Sequence, residues 1–173
     1  MRQTDDLVIR PGQLSACSVR RDPFNALMPT PVILLAEDSD LDAQILAQVN
    51  ERSGSAFQLV RVADGVEAVD YLRGAGQYAD RTKFPAASLL LLDLMMPRAD
   101  GFAVLKWRQD HPAFLHVPVI VYSSSYLPAD VERAYALGAS SYVVKPTDAV
   151  RLDRFVRSLQ TFWSEFNVTS GLE

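Results

Sequence analysis

The chain has 173 residues, of which 49% are hydrophobic, and a formal net charge of −4 at pH 7. This composition supports one ordinary domain with a substantial core. The acidic balance and the lack of a basic stripe argue against nucleic acid as a direct partner. Cys17 is the single cysteine, which excludes an internal disulfide and favours a cytoplasmic protein. The longest apolar runs are strand-sized, so no membrane span is expected.

Residues 1–30 differ from the rest because they combine several prolines, mixed charges and no periodicity. They predict a loosely ordered N-terminal extension. A start at Met28 would remove most of it, and the sequence leaves open whether the extension is native. We expect one folded domain over 31–165 and a short tail over 166–173.

From Val32 onward, short apolar runs alternate with amphipathic segments. The predicted strands cover 32–36, 57–62, 88–93, 117–122 and 141–144. The predicted helices cover 40–51, a segment after Asp64-Gly65, 102–109, Pro128 to Gly138, and an apolar face from Leu152 to Trp163. Five strand–helix units predict an α/β fold with a parallel sheet covered on both faces. The expected strand order is 2-1-3-4-5, the doubly wound, flavodoxin-like order.

Charged residues follow three of these strands. Glu37 and Asp38 end the first, Asp93 ends the third, and Lys145 ends the fifth. In the expected order the ends of strands one and three are neighbours, and open parallel sheets bind ligands there. Crowded carboxylates favour a hard cation such as Mg²⁺. With Lys145 as the ammonium and Ser123 as a hydroxyl at the end of strand four, the site suits phosphoryl transfer to Asp93.

Four segments, in this order and spacing, resemble the receiver domain of two-component response regulators. They are 33–38, 92–101, 118–124 and 138–146. The long polar loop over 74–85 and the segment 159–163 resemble, more specifically, the single-domain regulators of bacterial phytochrome-type and hybrid histidine kinases.

The resemblance implies a role for each residue of the acidic group. Asp93 corresponds to the phosphoacceptor. Asp38, Asp93 and the backbone carbonyl of Met95 would bind Mg²⁺ directly, and Glu37 would contact the ion through water. Met95 cannot orient a water molecule, which predicts slow self-dephosphorylation.

The resemblance also implies a switch at the other strand ends. Ser123 would sense the phosphoryl group and Tyr142 would turn in response, although a static packed Tyr142 is an open alternative. Lys145 corresponds to the family's active-site lysine, and the Lys145–Pro146 peptide is expected to be cis. Ser124 and Ser125 are expected to be loop residues.

The implied function is that of a phosphoacceptor switch and not of a classical enzyme, with Mg²⁺-assisted self-phosphorylation. The donor would be a sensor histidine kinase or a phosphotransfer protein, and the output would be binding to a downstream protein. The last helix is expected to pack its apolar side in the core, and a homodimer or kinase contact through Phe162 and Trp163 is left open as the alternative. A phosphate-independent receiver-fold scaffold remains the alternative function.

Two other classes fit less well. A phosphatase of the haloacid dehalogenase type needs a second aspartate where this chain has Met95. A flavodoxin-type flavin carrier needs a phosphate-binding loop after the first strand, where this chain has the acidic segment 37–40.

Overall fold

The computed structural model describes residues 30–54 and 57–163. In these ranges five strands alternate with five α-helices. The strands are β1 (Val32–Ala36), β2 (Gln58–Val62), β3 (Leu89–Leu92), β4 (Val119–Ser123) and β5 (Ser141–Val144). The helices are α1 (Asp40–Arg52), α2 (Gly65–Arg73), α3 (Gly101–Asp110), α4 (Pro128–Ala136) and α5 (Ala149–Thr161). Almost all of the predicted extension over 1–30 and the whole predicted tail over 166–173 lie outside the described residues, so the domain boundaries stay predictions.

The five strands form one parallel sheet in the order β2-β1-β3-β4-β5. The predicted fold class and strand order are therefore confirmed. Every residue of β1 and β3 is buried, as expected for central parallel strands covered by helices on both faces.

The sheet divides the core into two clusters. One lies against α2, α3 and α4 and contains Tyr71, Leu105 and Ala134. The other lies against α1 and α5 and contains Leu46 and Val156. Helices on both faces close off the sides of the sheet, so a polar crevice can form only at the ends of the strands.

The register brings the carboxyl ends of the neighbouring strands β1 and β3 to the same level. Ala36 lies opposite Leu92. The next residue of each strand, Glu37 and Asp93, therefore leaves the sheet at the same level.

The ends of the last two helices follow local chemistry. Pro128 begins α4, where its missing N–H leaves no hydrogen bond unmade, and Gly138 has a φ of 86° just beyond the end of that helix. The Asp148 side chain accepts a hydrogen bond from the backbone N–H of Arg151 and caps α5. The prediction that α4 begins at Pro128 is confirmed, and α5 ends at Thr161, two residues before the predicted Trp163.

The prediction of a cis Lys145–Pro146 peptide is wrong, because the described residues contain no cis peptide bond. The trans form of an X–Pro bond is intrinsically favoured by about 0.5–1 kcal/mol, and the cis form persists only where the surrounding fold imposes it. With the trans peptide, the Lys145 side chain still reaches the acidic group described below.

No helix in the described part of the chain is long and apolar enough to cross a bilayer.

Candidate functional site

Three carboxylates converge at the carboxyl edge of the sheet. Glu37, Asp38 and Asp93 each offer an oxygen, and these oxygens all lie within 4.8 Å of one another. Glu37 is 1% exposed and Asp93 is 4% exposed, whereas Asp38 faces solvent. The structure thus brings together the three acids that the sequence predicts at this edge.

Lys145 supplies the counter-charge from β5. Its Nζ lies 2.7 Å from Asp93 Oδ2, 2.6 Å from Glu37 Oε2 and 3.1 Å from Asp42 Oδ2. Its backbone N–H donates to the carbonyl of Ser123 at 2.8 Å, which fixes the end of β5 to the end of β4. The predicted association of Lys145 with Asp93 is therefore present before any phosphoryl group arrives.

Asp42 is a member of this group that sequence reasoning missed. It lies in the first turn of α1, the helix that begins just after the carboxyl end of β1. This position close to the end of the first strand was the available signal.

Burial and charge oppose each other at Glu37 and Lys145. Burial raises the pKa of Glu37 and outweighs the stabilising effect of the Lys145 ammonium. Burial lowers the pKa of Lys145, but the hydrogen bond to Asp93 and the ion pair with Glu37 outweigh it, and the pKa of Lys145 is raised overall. The lysine stays protonated, and the carboxylate charge of Glu37 is only partly compensated.

The residues present fit a divalent cation. Glu37 Oε2 is buried and lacks a hydrogen bond of good geometry, although Lys145 Nζ contacts it. Several carboxylates therefore share one ammonium, and an additional positive charge would relieve their repulsion. Carboxylate and carbonyl oxygens are the donors that Mg²⁺ and Mn²⁺ accept.

The loop after Asp93 is held close to the end of β3. The backbone N–H of Gly101 donates to the carbonyl of Leu94 at 3.1 Å, and a Cβ at Gly101 would collide with the carbonyl oxygen of Asp93. Within this loop, the Met95 N–H donates to Asp93 Oδ1 at 3.2 Å, and the Met95 side chain is 69% exposed. The loop therefore orients the Asp93 carboxylate through its own backbone.

Ser123 and Tyr142 both connect to the loop after β4. Ser123 is fully buried, and its Oγ accepts from the N–H of Ser125 at 3.4 Å. Tyr142 is half-buried, and its hydroxyl donates to the carbonyl of Ser125 at 3.0 Å. Ser125 thus links the two residues of the predicted switch, a contact that the sequence did not indicate.

Tyr122 is a second residue that sequence reasoning missed. It is 6% exposed, and its ring stacks on Phe155 of α5 with a centroid distance of 5.2 Å. Lys145 Nζ lies 5.7 Å from the centroid of the same ring, within cation–π range. Burial, opposed by Lys145, raises the pKa of Tyr122 to about 12. An aromatic residue directly before Ser123 was the only signal in the sequence.

Other predicted residues lie away from this site. His111 and His116 are exposed surface residues. Phe162 is 49% exposed, while Trp163 packs against the core cluster of α1 and α5. No described contact tests homodimerisation.

Comparisons with known proteins agree with this geometry. The family model described as "Response regulator receiver domain" matches residues 33–157. Response regulator Rcp1 of Synechocystis sp. is 33% identical over 137 residues, which cover 79% of this chain and 91% of Rcp1.

Two solved structures are similar throughout the described fold. The phosphorylated cyanobacterial phytochrome response regulator RcpA has a TM-score of 0.73 and 31% identity, covering 81% of this chain and 98% of RcpA. The Mn²⁺-bound form of Rcp1 has a TM-score of 0.71 and 31% identity, covering 82% of this chain and 99% of that structure.

Proteins with a response-regulator receiver domain are signalling switches of two-component systems. The order of the sheet, the acidic group with its lysine, and these matches together show that the chain belongs to the response-regulator receiver family.

Proposed function

We propose that the chain is a single-domain response regulator that accepts a phosphoryl group on Asp93 and relays the signal by phosphorylation-dependent binding to another protein. The donor is a sensor histidine kinase or a phosphotransfer protein, and a donor of that kind implies a cytoplasmic location. The observation that carries the proposal is the Lys145 ammonium held 2.7 Å from Asp93 Oδ2 beside two further carboxylates.

The acidic group is the proposed Mg²⁺ site. Asp38, Asp93 and the carbonyl of Met95 would hold the ion directly, and Glu37 would hold it through water. When bound, the ion neutralises negative charge on the transferring phosphoryl oxygens. The buried Glu37 oxygen without a satisfied hydrogen bond supports this assignment.

Transfer is a displacement at phosphorus. A carboxylate oxygen of Asp93 attacks the phosphorus of the donor's phosphohistidine, and a P–O bond forms as the P–N bond breaks. The imidazole nitrogen leaves with the electron pair and takes up a proton from water. Lys145 donates hydrogen bonds toward the phosphoryl oxygens, whose charge it offsets, and the Ser123 hydroxyl donates to another of these oxygens.

The phosphoryl group then biases two conformations of the switch residues. A Ser123 hydroxyl drawn toward the phosphoryl group gives up its bond with the Ser125 N–H, and the link from Ser125 to the Tyr142 hydroxyl is disturbed with it. Tyr142 turns, and the face formed by α4, β5 and α5 changes its preference for partners. This is a shift between two populations driven by one local charge.

The test uses the whole chain, phosphoramidate as a small phosphodonor, and Mg²⁺. Phosphate-affinity gels of the wild type are expected to show a retarded band that is lost with EDTA. Asp93→Asn is expected to abolish the band, whereas Asp110→Asn, an exposed aspartate of α3, retains it. A band that persists in Asp93→Asn, or a wild type that gives no band, contradicts the proposal.

A further inference from the structure

Arg61 of β2 makes a set of contacts that the proposed chemistry does not use. Its Nε donates to the carbonyl of Glu37 at 3.0 Å, its Nη2 donates to the carbonyl of Asp38 at 3.0 Å, and its Nη1 donates to Asp40 Oδ1 at 2.5 Å. The Arg61 side chain is only 31% exposed. One guanidinium therefore spans the whole connection between β1 and α1.

Two of these three acceptors are backbone carbonyls of residues in the acidic group. The carboxylates of Glu37 and Asp38 accept no hydrogen bond from Arg61, so they stay available to a cation. A planar guanidinium fixes the relative positions of the groups that it bridges, because its donors are rigidly arranged. The N–H of Glu37 also donates to the carbonyl of Val62 at 3.0 Å, which joins the same strand end to β2.

We propose that Arg61 is a positioning residue for the divalent-cation site: it fixes the backbone at Glu37 and Asp38 so that their carboxylates converge with that of Asp93. This inference rests on the proposed function, since it takes the acidic group to be a cation site. The charge of Arg61 by itself would disfavour a nearby cation. Arg61 can therefore promote cation binding only through geometry, so we expect its removal to weaken the binding.

The test measures Mg²⁺ affinity by isothermal titration calorimetry, with Mn²⁺ binding by electron paramagnetic resonance as a second probe. Arg61→Ala is expected to weaken binding about tenfold, the loss typical of a group that supports metal ligands. Arg61→Lys is expected to weaken it as well, because one ammonium keeps the charge but cannot reproduce the planar fork. Asp40→Ala removes only the exposed third contact and is expected to change the affinity by less than about twofold.

Thermal unfolding in EDTA separates positioning from global stability. Arg61→Lys is expected to unfold within a few degrees of the wild type while binding Mg²⁺ more weakly. If Arg61→Ala does not fold, Arg61→Lys decides the matter. Unchanged or tighter binding in a folded Arg61 variant overturns the inference and leaves the proposed function intact. A wild type that fails to bind Mg²⁺ overturns the proposed function itself.

Discussion

Lys145 Nζ lies 2.7 Å from Asp93 Oδ2, although the two residues are 52 positions apart in the chain. Lys145 also contacts Glu37 and Asp42, so a single ammonium compensates carboxylates from three segments. Such a site is electrostatically incomplete by itself, and its stability should respond to any added cation.

We expect Lys145→Met to lower the free energy of unfolding of the metal-free protein by about 3 kcal/mol, because it leaves largely buried carboxylates without their counter-charge. Millimolar Mg²⁺ should recover part of this loss and stabilise the variant more than it stabilises the wild type. Urea unfolding with EDTA or with Mg²⁺ measures both effects.

The control for that experiment is Lys106→Met, which removes an exposed ion pair with Asp110. Exposed pairs of this kind contribute less than about 1 kcal/mol, so little change is expected. A Lys145→Met variant that is as stable as the wild type without metal would show that the acidic group does not need the ammonium.

Glu37→Gln should separate stability from metal binding. Burial raises the pKa of Glu37, so the fold favours its neutral form and disfavours its charged form at pH 7. We expect the metal-free variant to be more stable than the wild type at pH 7, because the amide is neutral and its burial does not remove a charge from water. The stability difference should shrink as the pH falls through the raised pKa, because the wild-type carboxyl is then neutral too.

The same variant is expected to bind Mg²⁺ more weakly, because an amide carries no charge for the cation. Unfolding curves from pH 4 to 7 and calorimetric titrations provide the two readouts. A less stable metal-free Glu37→Gln protein would indicate that the ion pair with Lys145 outweighs the cost of burial.

Tyr122 predicts a loss of stability at alkaline pH. Its pKa is about 12 in the folded protein, compared with an ordinary value of 10. The neutral phenol is therefore favoured by folding, and this contribution is complete below pH 10 and declines as the pH rises toward 12. We expect the wild type to lose roughly 2 kcal/mol relative to Tyr122→Phe over this range.

Chemical unfolding of both proteins between pH 8 and 12 tests this expectation. Phe keeps the ring that stacks on Phe155 and faces Lys145, and every other titrating tyrosine is common to both proteins. Parallel stability curves for the two proteins would be inconsistent with a buried Tyr122 phenol.

Met95 predicts a long-lived phosphoryl group, given phosphorylation at Asp93. Its exposed side chain lies two residues beyond Asp93 and offers no polar group to orient an attacking water. We expect Met95→Asn to shorten the half-life of the phosphorylated protein severalfold, because an amide can hold a water by hydrogen bonds. Decay is followed on phosphate-affinity gels after removal of the donor, with Met95→Leu as the apolar control. Equal half-lives in Asn and Leu variants would rule out this role.

The sequence by itself determined the fold and which charged residues lie at the carboxyl ends of the strands. Apolar runs of strand length can be identified from the sequence without tertiary information. Their number and spacing define five strand–helix units. Charges that directly follow such runs must leave the sheet at its carboxyl edge. Glu37 and Asp93 could therefore be placed together in advance, because β1 and β3 are neighbours in the predicted strand order, and Lys145 follows β5 at the same end of the sheet.

Tertiary structure decided the contacts made around that edge. The approach of Asp42 to Lys145, the stacking of Tyr122 on Phe155 and the span of Arg61 across the β1–α1 connection depend on helix packing and loop path. The trans form of the Lys145–Pro146 peptide also depends on the tertiary structure around it. A side chain's partners at the end of a strand come from segments distant in sequence, so local pattern carries little information about them. Their geometry is set only when the two core clusters pack against the sheet.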